Sequence, residues 1–177
     1  FVFLVGPSGS GKSTFLKLMI REEDVSSGKV IIDGSNVSEL KPKEVPYLRR
    51  KIGFVFQDFR LLYDRTVAEN IEFALRVIES SEREIKTQKK AVLEMVGLTG
   101  KENAYPNQLS GGEQQRVALA RAMATKPPII IADEPTGNLD PATAGDIFKT
   151  LNEINARGTT VLVVTHAKDI VDRMGKR

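Results

Sequence analysis

The sequence predicts an α/β fold with a mostly parallel sheet, a phosphate-binding core and a helical subdomain. Three observations lead to this prediction. Apolar runs typical of buried strands alternate with helical patterns at both ends of the chain. The middle of the chain carries helical patterns without strands between them. A glycine-rich loop joins the first apolar run to the first helical pattern, which is the arrangement of a phosphate loop.

Composition limits the classes of protein to consider. The chain has 177 residues, a net charge of +3 and no cysteine, which excludes disulfides and thiolate metal sites. No apolar run approaches the roughly 18 residues of a membrane span, and nothing resembles a signal peptide. We expect one domain over residues 1–177. We also expect it to be truncated at both ends, because it begins in a buried-looking strand and stops just after a helical pattern.

The first strand is predicted over residues 1–5 and the first helix over residues 14–20. Glycines in the loop between them let backbone N–H groups point at one anion, and the helix N-terminus adds about half a positive charge. Lys12 would reach the β- and γ-phosphates, and the Ser13 hydroxyl would bind Mg²⁺. The residues assigned to the triphosphate are Gly6, Pro7, Ser8, Gly9, Ser10, Gly11, Lys12, Ser13 and Thr14.

The next elements are short. Residues 29–32 form a predicted strand that ends at the turn pair Asp33-Gly34. Residues 45–51 form a predicted short helix, and residues 52–56 a buried strand.

Three helices are predicted in the middle of the chain, each from its cap. Thr66 precedes a helix over residues 67–79. Ser81 and Glu84 form a capping box for a helix that runs to Val96. Ser110-Gly111-Gly112 opens a third helix, which ends near Ala124.

In the C-terminal third, predicted strands and helices alternate again. Residues 129–132 and 159–164 are continuously apolar, as in strands buried on both faces of a parallel sheet. Between them, Asp140-Pro141 has the N-cap and first-turn residues of a helix.

Asp133 and Glu134 follow the first of these strands directly. Parallel sheets bind ligands at the carboxyl ends of their strands. Asp133 is therefore placed to hold Mg²⁺, together with Ser13, and Glu134 to polarise an attacking water. On its own this pair would be weak evidence; a phosphate loop in the same chain makes it a candidate site.

The stretch Leu109-Ser110-Gly111-Gly112-Glu113-Gln114-Gln115-Arg116 is a second helix N-terminus with exposed backbone donors, hence a second candidate anion site. Its sequence and its place between the phosphate loop and Asp133 resemble the signature of ABC-type ATPases. The resemblance covers the whole chain. Gln57 matches that family's Q-loop glutamine, residues 138–140 match its D-loop, and His166 matches its switch histidine.

The resemblance implies the ABC ATPase fold, with a core over residues 1–57 and 126–177 and a helical subdomain over about residues 58–125. It also implies a head-to-tail homodimer in which the phosphate loop of one copy and Ser110, Gly111, Gly112 and Glu113 of the other enclose ATP. The implied catalytic residues are Lys12, Gln57, Glu134 and His166. The implied metal ligands are Ser13, Gln57 and Asp133, with Mg²⁺ and ATP as the cofactors.

A finer resemblance, carried by residues 44–67, is to the cell-division branch of the family. It implies an integral membrane subunit docked near the Q-loop and the helical subdomain, with Phe59, Leu61, Leu62 and Tyr63 as apolar contacts. The ATPase would then lie peripherally on the cytoplasmic side of the membrane. Residues 132–140 are shared with ATPases of lipoprotein release and macrolide export, which remain alternatives. Two further alternatives are an ABC protein associated with nucleic acid and a module that binds ATP but barely hydrolyses it.

Three departures from the family pattern matter. The family's last strands and C-terminal segment are expected to be missing from this sequence. The aromatic residue that stacks on adenine normally lies upstream of the phosphate loop, so Phe1 is not assigned that role. An acidic or amide residue usually follows the switch histidine, and here it is Ala167.

Overall fold

The computed structural model describes residues 1–137, 139–166, 171 and 175. The D-loop residue Asn138 and the departure at Ala167 lie outside the described residues. The strands are β1 (Val2–Val5), β2 (Ile31–Ile32), β3 (Ser35–Asn36), β4 (Ile52–Val55), β5 (Ile129–Asp133) and β6 (Thr160–Thr165). The helices are α1 (Lys12–Met19), α2 (Val45–Arg50), α3 (Val67–Val77), α4 (Glu82–Met95), α5 (Gly111–Ala124) and α6 (Pro141–Ala156).

Four strands form one parallel sheet in the order β1-β6-β5-β4. The registers pair Leu4 with Val164 and Val55 with Ala132, so all four strands run toward the same edge. The carboxyl ends of parallel strands are where such sheets bind ligands. The topology thus brings the segments after β1, β4, β5 and β6 to one edge, although they are far apart in sequence.

Both faces of β4, β5 and β6 are largely buried, as the continuous apolar runs predicted. The first strand, expected to be buried, instead lies at the sheet edge, where Val2 and Val5 are 43% and 44% exposed. Ile130 and Ala132 belong to the core cluster that α3, α4, α5 and α6 complete. Ile131 lies between them and belongs to the opposite cluster with α1 and α2. Successive strand side chains alternate between the faces, so each apolar run supplies both layers of the core.

Helix α5 packs closely against the strand that leads to Gln57. A Cβ atom at Gly53 in β4 would lie 2.4 Å from the carbonyl oxygen of Ala122. Only glycine allows this approach, and the contact fixes one end of α5 on the sheet.

A two-stranded hairpin, β2-β3, differs in detail from the prediction. Asp33 and Gly34 both have positive φ angles, as a tight hairpin turn requires. The return strand Ser35–Asn36 is two polar residues long and carries no periodic signal. Helix α3 also ends two residues before the predicted end, and Glu79 lies beyond it with φ of 61°. Among the described residues, no helix has the length and apolar character needed to cross a membrane.

Candidate nucleotide-binding site

A cavity of about 520 Å³ lies at the edge of the sheet where the strands end. It gathers residues from the phosphate loop and from the segments after β4, β5 and β6. The lining residues are Ser8, Gly9, Gly11, Lys12, Ser13, Thr14, Gln57, Asp133, Glu134 and His166. Gly6, Pro7 and Ser10 belong to the same loop without lining the cavity; a Cβ atom at Gly6 would lie 2.7 Å from Ser10 Oγ.

The start of α1 leaves its backbone donors without a side-chain cap. Its N-cap residue, Gly11, adopts a left-handed conformation with φ of 88° and offers no side chain to the first turn. Gly9 is also left-handed, and the first turn contains no acidic residue. Uncapped N–H groups at a helix N-terminus attract an anion. The local sequence therefore leaves backbone donors that suit an anion beside this cavity.

Lys12 supplies the positive charge of this site. Its ammonium group donates to the carbonyl oxygens of Gly6, at 2.8 Å, and Pro7, at 3.0 Å. These bonds hold the side chain over its own loop. A bound phosphate can replace neutral carbonyl acceptors with a stronger, charged one.

Glu134 and His166 meet in the same cavity. Glu134 Oε1 and His166 Nδ1 are 2.8 Å apart. Glu134 has φ of 45°, a conformation uncommon for a residue with a side chain, and its N–H donates to the carbonyl of Val164 in β6. Such strained residues cluster at functional sites. Here the strained backbone directs the carboxylate toward the histidine after the neighbouring strand.

Asp133 carries the perturbed carboxyl of the site. Burial raises its pKa, the charge of Glu134 raises it further, and Lys12 opposes both effects. Its neighbours in the cavity, Ser13 and Gln57, offer neutral oxygen ligands. Within the described ranges no group of three or more His, Cys, Asp or Glu residues could hold a metal. This donor set fits Mg²⁺, which takes few carboxylates and shares its coordination with phosphate and water.

The signature residues Ser110, Gly111, Gly112 and Glu113 do not line this cavity. Ser110 Oγ accepts from the N–H of Glu113, and the Glu113 carboxylate accepts from both the N–H and the hydroxyl of Ser110. Lys101 lies 3.2 Å from the same carboxylate. The backbone hydrogen bond from Ser110, followed by Lys101, holds the pKa of Glu113 below its usual value. The predicted second anion site is thus a separate, self-capped helix start.

The described part of the D-loop ends in a helix cap. Asp140 Oδ1 accepts from the N–H groups of Ala142 and Thr143. A side-chain hydrogen bond with Thr143, followed by the backbone bond from the same residue, lowers the pKa of Asp140. Thr143 also packs against the signature, since a Cβ atom at Gly112 would lie 2.6 Å from its methyl group.

Two polar residues near Gln57 were not predicted. Arg121 on α5 donates to the backbone carbonyls of Phe59 and Arg60, and Asn70 on α3 bonds the backbone of residues 62–66. Arg121 is the one charged residue in the otherwise apolar run 117–124. That isolated charge is the signal that could have identified it.

The chain matches a family model described as "ABC transporter" over residues 1–137. Among curated proteins it is 54% identical to the cell division ATP-binding protein FtsE of Bacillus subtilis (strain 168), covering 100% of this chain and 78% of that protein. It is 47% identical to the protein of the same name from Escherichia coli (strain K12), covering 99% of this chain and 79% of that protein.

Solved structures agree with these relatives. One is an ATP-binding cassette solved as a dimer in a post-hydrolysis state bound to ADP and Pi. It is 44% identical, with a TM-score of 0.87 over 96% of this chain and 76% of that chain. Another, from Clostridium perfringens, is part of the ABC transporter complex cbiONQ. It is 31% identical, with a TM-score of 0.87 over 96% of this chain and 68% of that chain.

Proposed function

The chain belongs to the ABC transporter family, and we propose that it is the ATP-hydrolysing subunit of a membrane complex in bacterial cell division. The predictions of an ABC ATPase, of its fold and of ATP hydrolysis are confirmed by the family model and the structural relatives. The cell-division role follows the names of relatives at 47% to 54% identity. The observation that carries the proposal is the single cavity that joins the phosphate loop to Asp133, Glu134 and His166.

In the proposed reaction, this cavity holds the triphosphate of ATP. The N–H groups at the start of α1 and the ammonium group of Lys12 bind the phosphates and stabilise the charge that develops during transfer. Glu134 orients a water molecule and accepts its proton as the oxygen attacks the γ-phosphorus. The bond from the γ-phosphorus to the bridging oxygen breaks, and ADP and phosphate leave.

His166 has a positioning role in this proposal. Its Nδ1 atom lies 2.8 Å from Glu134 Oε1, so the imidazole holds the carboxylate in one orientation. His166 is largely exposed whereas Glu134 is mostly buried. The ring can therefore meet the γ-phosphate from the open side of the cavity while the carboxylate stays aligned with the water.

Mg²⁺ is the metal that these donors fit. Ser13, Gln57 and Asp133 would hold it, and it would neutralise phosphate charge when bound. Burial raises the pKa of Asp133, which marks a carboxylate that a cation in the cavity would stabilise.

We infer a head-to-tail homodimer from the separation of the two helix starts. The cavity contains one of them, and the signature residues lie outside it. A second copy turned to face the first would bring Ser110 and Gly111, both exposed, to the open side of the cavity. ATP would then bridge two copies through its γ-phosphate, and hydrolysis would remove the bridge.

A groove beside Gln57 is the proposed docking site of the membrane subunit, an FtsX-like permease. Its volume is about 550 Å³, and its lining is mostly apolar, with Phe73 and Val77 exposed. Arginine side chains at positions 49, 50 and 60 add positive charge. We therefore expect a cytoplasmic segment of the partner with apolar and acidic side chains, which keeps this ATPase at the cytoplasmic face of the membrane.

The apolar contacts proposed from the sequence need revision at this groove. Leu61 is buried in the core and is 6% exposed, so it packs the protein internally, and Phe59 also packs against that core. Leu62 lines the groove, whereas the exposed Tyr63 does not. We retain the division into a core of residues 1–57 and 126–177 and a helical subdomain of about residues 58–125 as a proposal.

The variant Glu134→Gln tests this function in the full-length protein. It removes the proton acceptor and keeps the size of the side chain. We expect ATP turnover to fall by about 10³-fold, ATP binding to remain, and an ATP-dependent dimer to accumulate. Phosphate release and light scattering measure these outcomes.

The matched control is Glu153→Gln, an exposed carboxylate on α6 that does not line the cavity. It should hydrolyse ATP as the unmodified protein does and form no lasting dimer. Rapid turnover by Glu134→Gln would place the proton acceptor elsewhere, and a monomer at saturating ATP would contradict the proposed assembly.

A further inference from the structure

The loop after Gln57 has an unusual backbone. Phe59 and Arg60 have φ angles of 61° and 44°, two successive left-handed residues that both carry side chains. This conformation is unfavourable for such residues and persists only where the surroundings enforce it. Some other part of the molecule must therefore hold this loop.

Arg121, near the end of α5, contacts both strained residues. One of its guanidinium nitrogen atoms is 2.8 Å from the carbonyl oxygen of Phe59, and another is 2.5 Å from that of Arg60. Burial lowers the pKa of Arg121, and no carboxylate among the described residues counteracts this shift. The charge of this arginine is thus directed at two backbone carbonyls. The planar guanidinium can donate to both at once.

Asn70 holds the other end of the same loop. This residue is fully buried; its Oδ1 accepts from the N–H of Leu62, and its Nδ2 donates to the carbonyls of Leu62, Arg65 and Thr66. Asn70 belongs to α3, whereas Arg121 belongs to α5. The loop is therefore fixed at its far end by one helix and at the end near Gln57 by the other.

Helix α5 is also the helix that begins at the signature. Its N-cap is Ser110, and Arg121 lies eleven residues further along, which is about 16 Å of continuous helix. The helix has no interruption between these positions. A displacement of its start on ATP closure would carry Arg121, and with it the carbonyls two and three residues after Gln57.

We propose that Arg121 is a positioning residue that couples the signature end of α5 to Gln57 in the nucleotide cavity. This inference rests on the proposed function, because the signature senses ATP only in the assembled dimer. Arg121 also lines the proposed docking groove. The signature helix, the Q-loop and the membrane partner therefore meet at one side chain.

Arg121→Lys is the informative substitution. Lysine keeps the positive charge but lacks the planar fork that binds two carbonyls together. The matched control is Arg76→Lys on α3. Arg76 also makes a two-point contact, with the two carboxylate oxygens of Glu82 at 2.7 Å and 3.5 Å, but neither involves the loop after Gln57. Arg76 lines neither the nucleotide cavity nor the docking groove.

The experiment uses the full-length protein reconstituted with its membrane subunit. In Arg121→Lys we expect kcat to fall about 10-fold while KM for ATP changes less than about 2-fold, because ATP still binds but Gln57 is misplaced. Hydrogen exchange should become faster in residues 57–66 and should no longer respond to a non-hydrolysable ATP analogue. Arg76→Lys should keep that response and the kcat of the unmodified protein.

Three results would decide against the proposal or against its premise. If Arg121→Lys retained both the exchange response and kcat, Arg121 would not couple the two ends. If Arg76→Lys lost the response equally, the effect would be a general loss of stability among the helices, and the inference would be wrong. If the unmodified protein showed no ATP-dependent dimer, the proposed function would fail first, independently of Arg121.

Discussion

The two helix starts proposed to bind phosphate are built in opposite ways. Helix α1 begins at Gly11 with no side-chain cap and no acidic residue in its first turn. Helix α5 begins at Ser110, which forms a reciprocal capping box with Glu113. The first start leaves its donors for a ligand, whereas the second satisfies the N–H of Glu113 with the Ser110 side chain and carries a negative charge. A triphosphate should therefore bind first at the phosphate loop, and the signature should act only when a second copy brings it close.

The largest effect is expected for Lys12→Ala, which tests whether the start of α1 binds the phosphates. Loss of the ammonium group removes the one lysine that lines the cavity in the described part of the chain. We expect hydrolysis to fall on the order of 10³-fold, because a charged donor to the transferring group is lost from a preorganised site. ATP affinity should fall as well, which equilibrium binding with a fluorescent analogue would measure.

Lys17→Ala is the control for that variant. Lys17 lies on the same helix and makes an exposed ion pair with Glu23 at 3.6 Å, away from the cavity. Exposed pairs contribute little to stability, so both binding and turnover should stay close to their original values. Equal losses in the two variants would mean that helix α1 has been perturbed as a whole.

The second way to test the comparison is Ser110→Ala. This variant loses the capping box, and we expect a stability cost of about 1 kcal/mol. Turnover of the dimer should also fall, about 10- to 100-fold, since the hydroxyl is the proposed donor to the γ-phosphate. ATP affinity of the monomer should be unchanged, because the signature residues do not line the cavity of their own chain.

The chain provides a close control for this prediction in Ser81→Ala. Ser81 and Glu84 form the same capping box at the start of α4. The thermodynamic cost should match that of Ser110→Ala, while turnover should not change. Urea unfolding and phosphate release distinguish the two effects. If Ser110→Ala lost stability alone, the signature would be a helix cap without a role in catalysis.

How much of this could be predicted from the sequence depends on the range of the interaction. The capping box at Ser81 involves residues three positions apart, so sequence spacing alone identified that helix start. The start at Ser110 was predicted from Ser110-Gly111-Gly112, and its capping box with Glu113 was found only in the structure. The apolar runs are likewise short, continuous stretches of sequence, so they predicted strands that are buried on two faces. The left-handed backbone at Phe59 and Arg60 depends on Arg121, which lies about 60 residues away in the chain and meets them only in the folded protein.

The site itself was predicted as a set of motifs, and the fold explains why they meet. Each of Gln57, Glu134 and His166 follows a strand of the parallel sheet within two residues of its end. The contact between Glu134 and His166, and the strained backbone that produces it, required the strand order β6-β5. The sequence contains no local signal for that order.

The smallest expected effect concerns how Asp133 contributes to the stability of the folded protein. The pKa of Asp133 is raised, so the folded protein binds this proton more tightly than the unfolded chain. As pH rises through the ordinary value of 3.8 and then through the higher pKa of the folded state, the stability contributed by the protonated form is lost. At neutral pH the ionised Asp133 therefore destabilises the nucleotide-free protein. The capping box at Ser110, in contrast, stabilises its helix without a ligand.

Asp133→Asn should remove that cost. Because the side chain is only partly buried, we expect the free energy of unfolding at pH 7 to rise by less than about 1 kcal/mol, and hydrolysis to be lost. Urea titrations at pH 7 and below pH 3.8 measure the difference, which should vanish at the lower pH because both states then hold the proton. The control Asp64→Asn removes an exposed carboxylate and should change stability at neither pH. A variant less stable than the original at pH 7 would show that ionised Asp133 stabilises the protein even without a ligand. The two helix starts would then differ only in whether a side chain caps them.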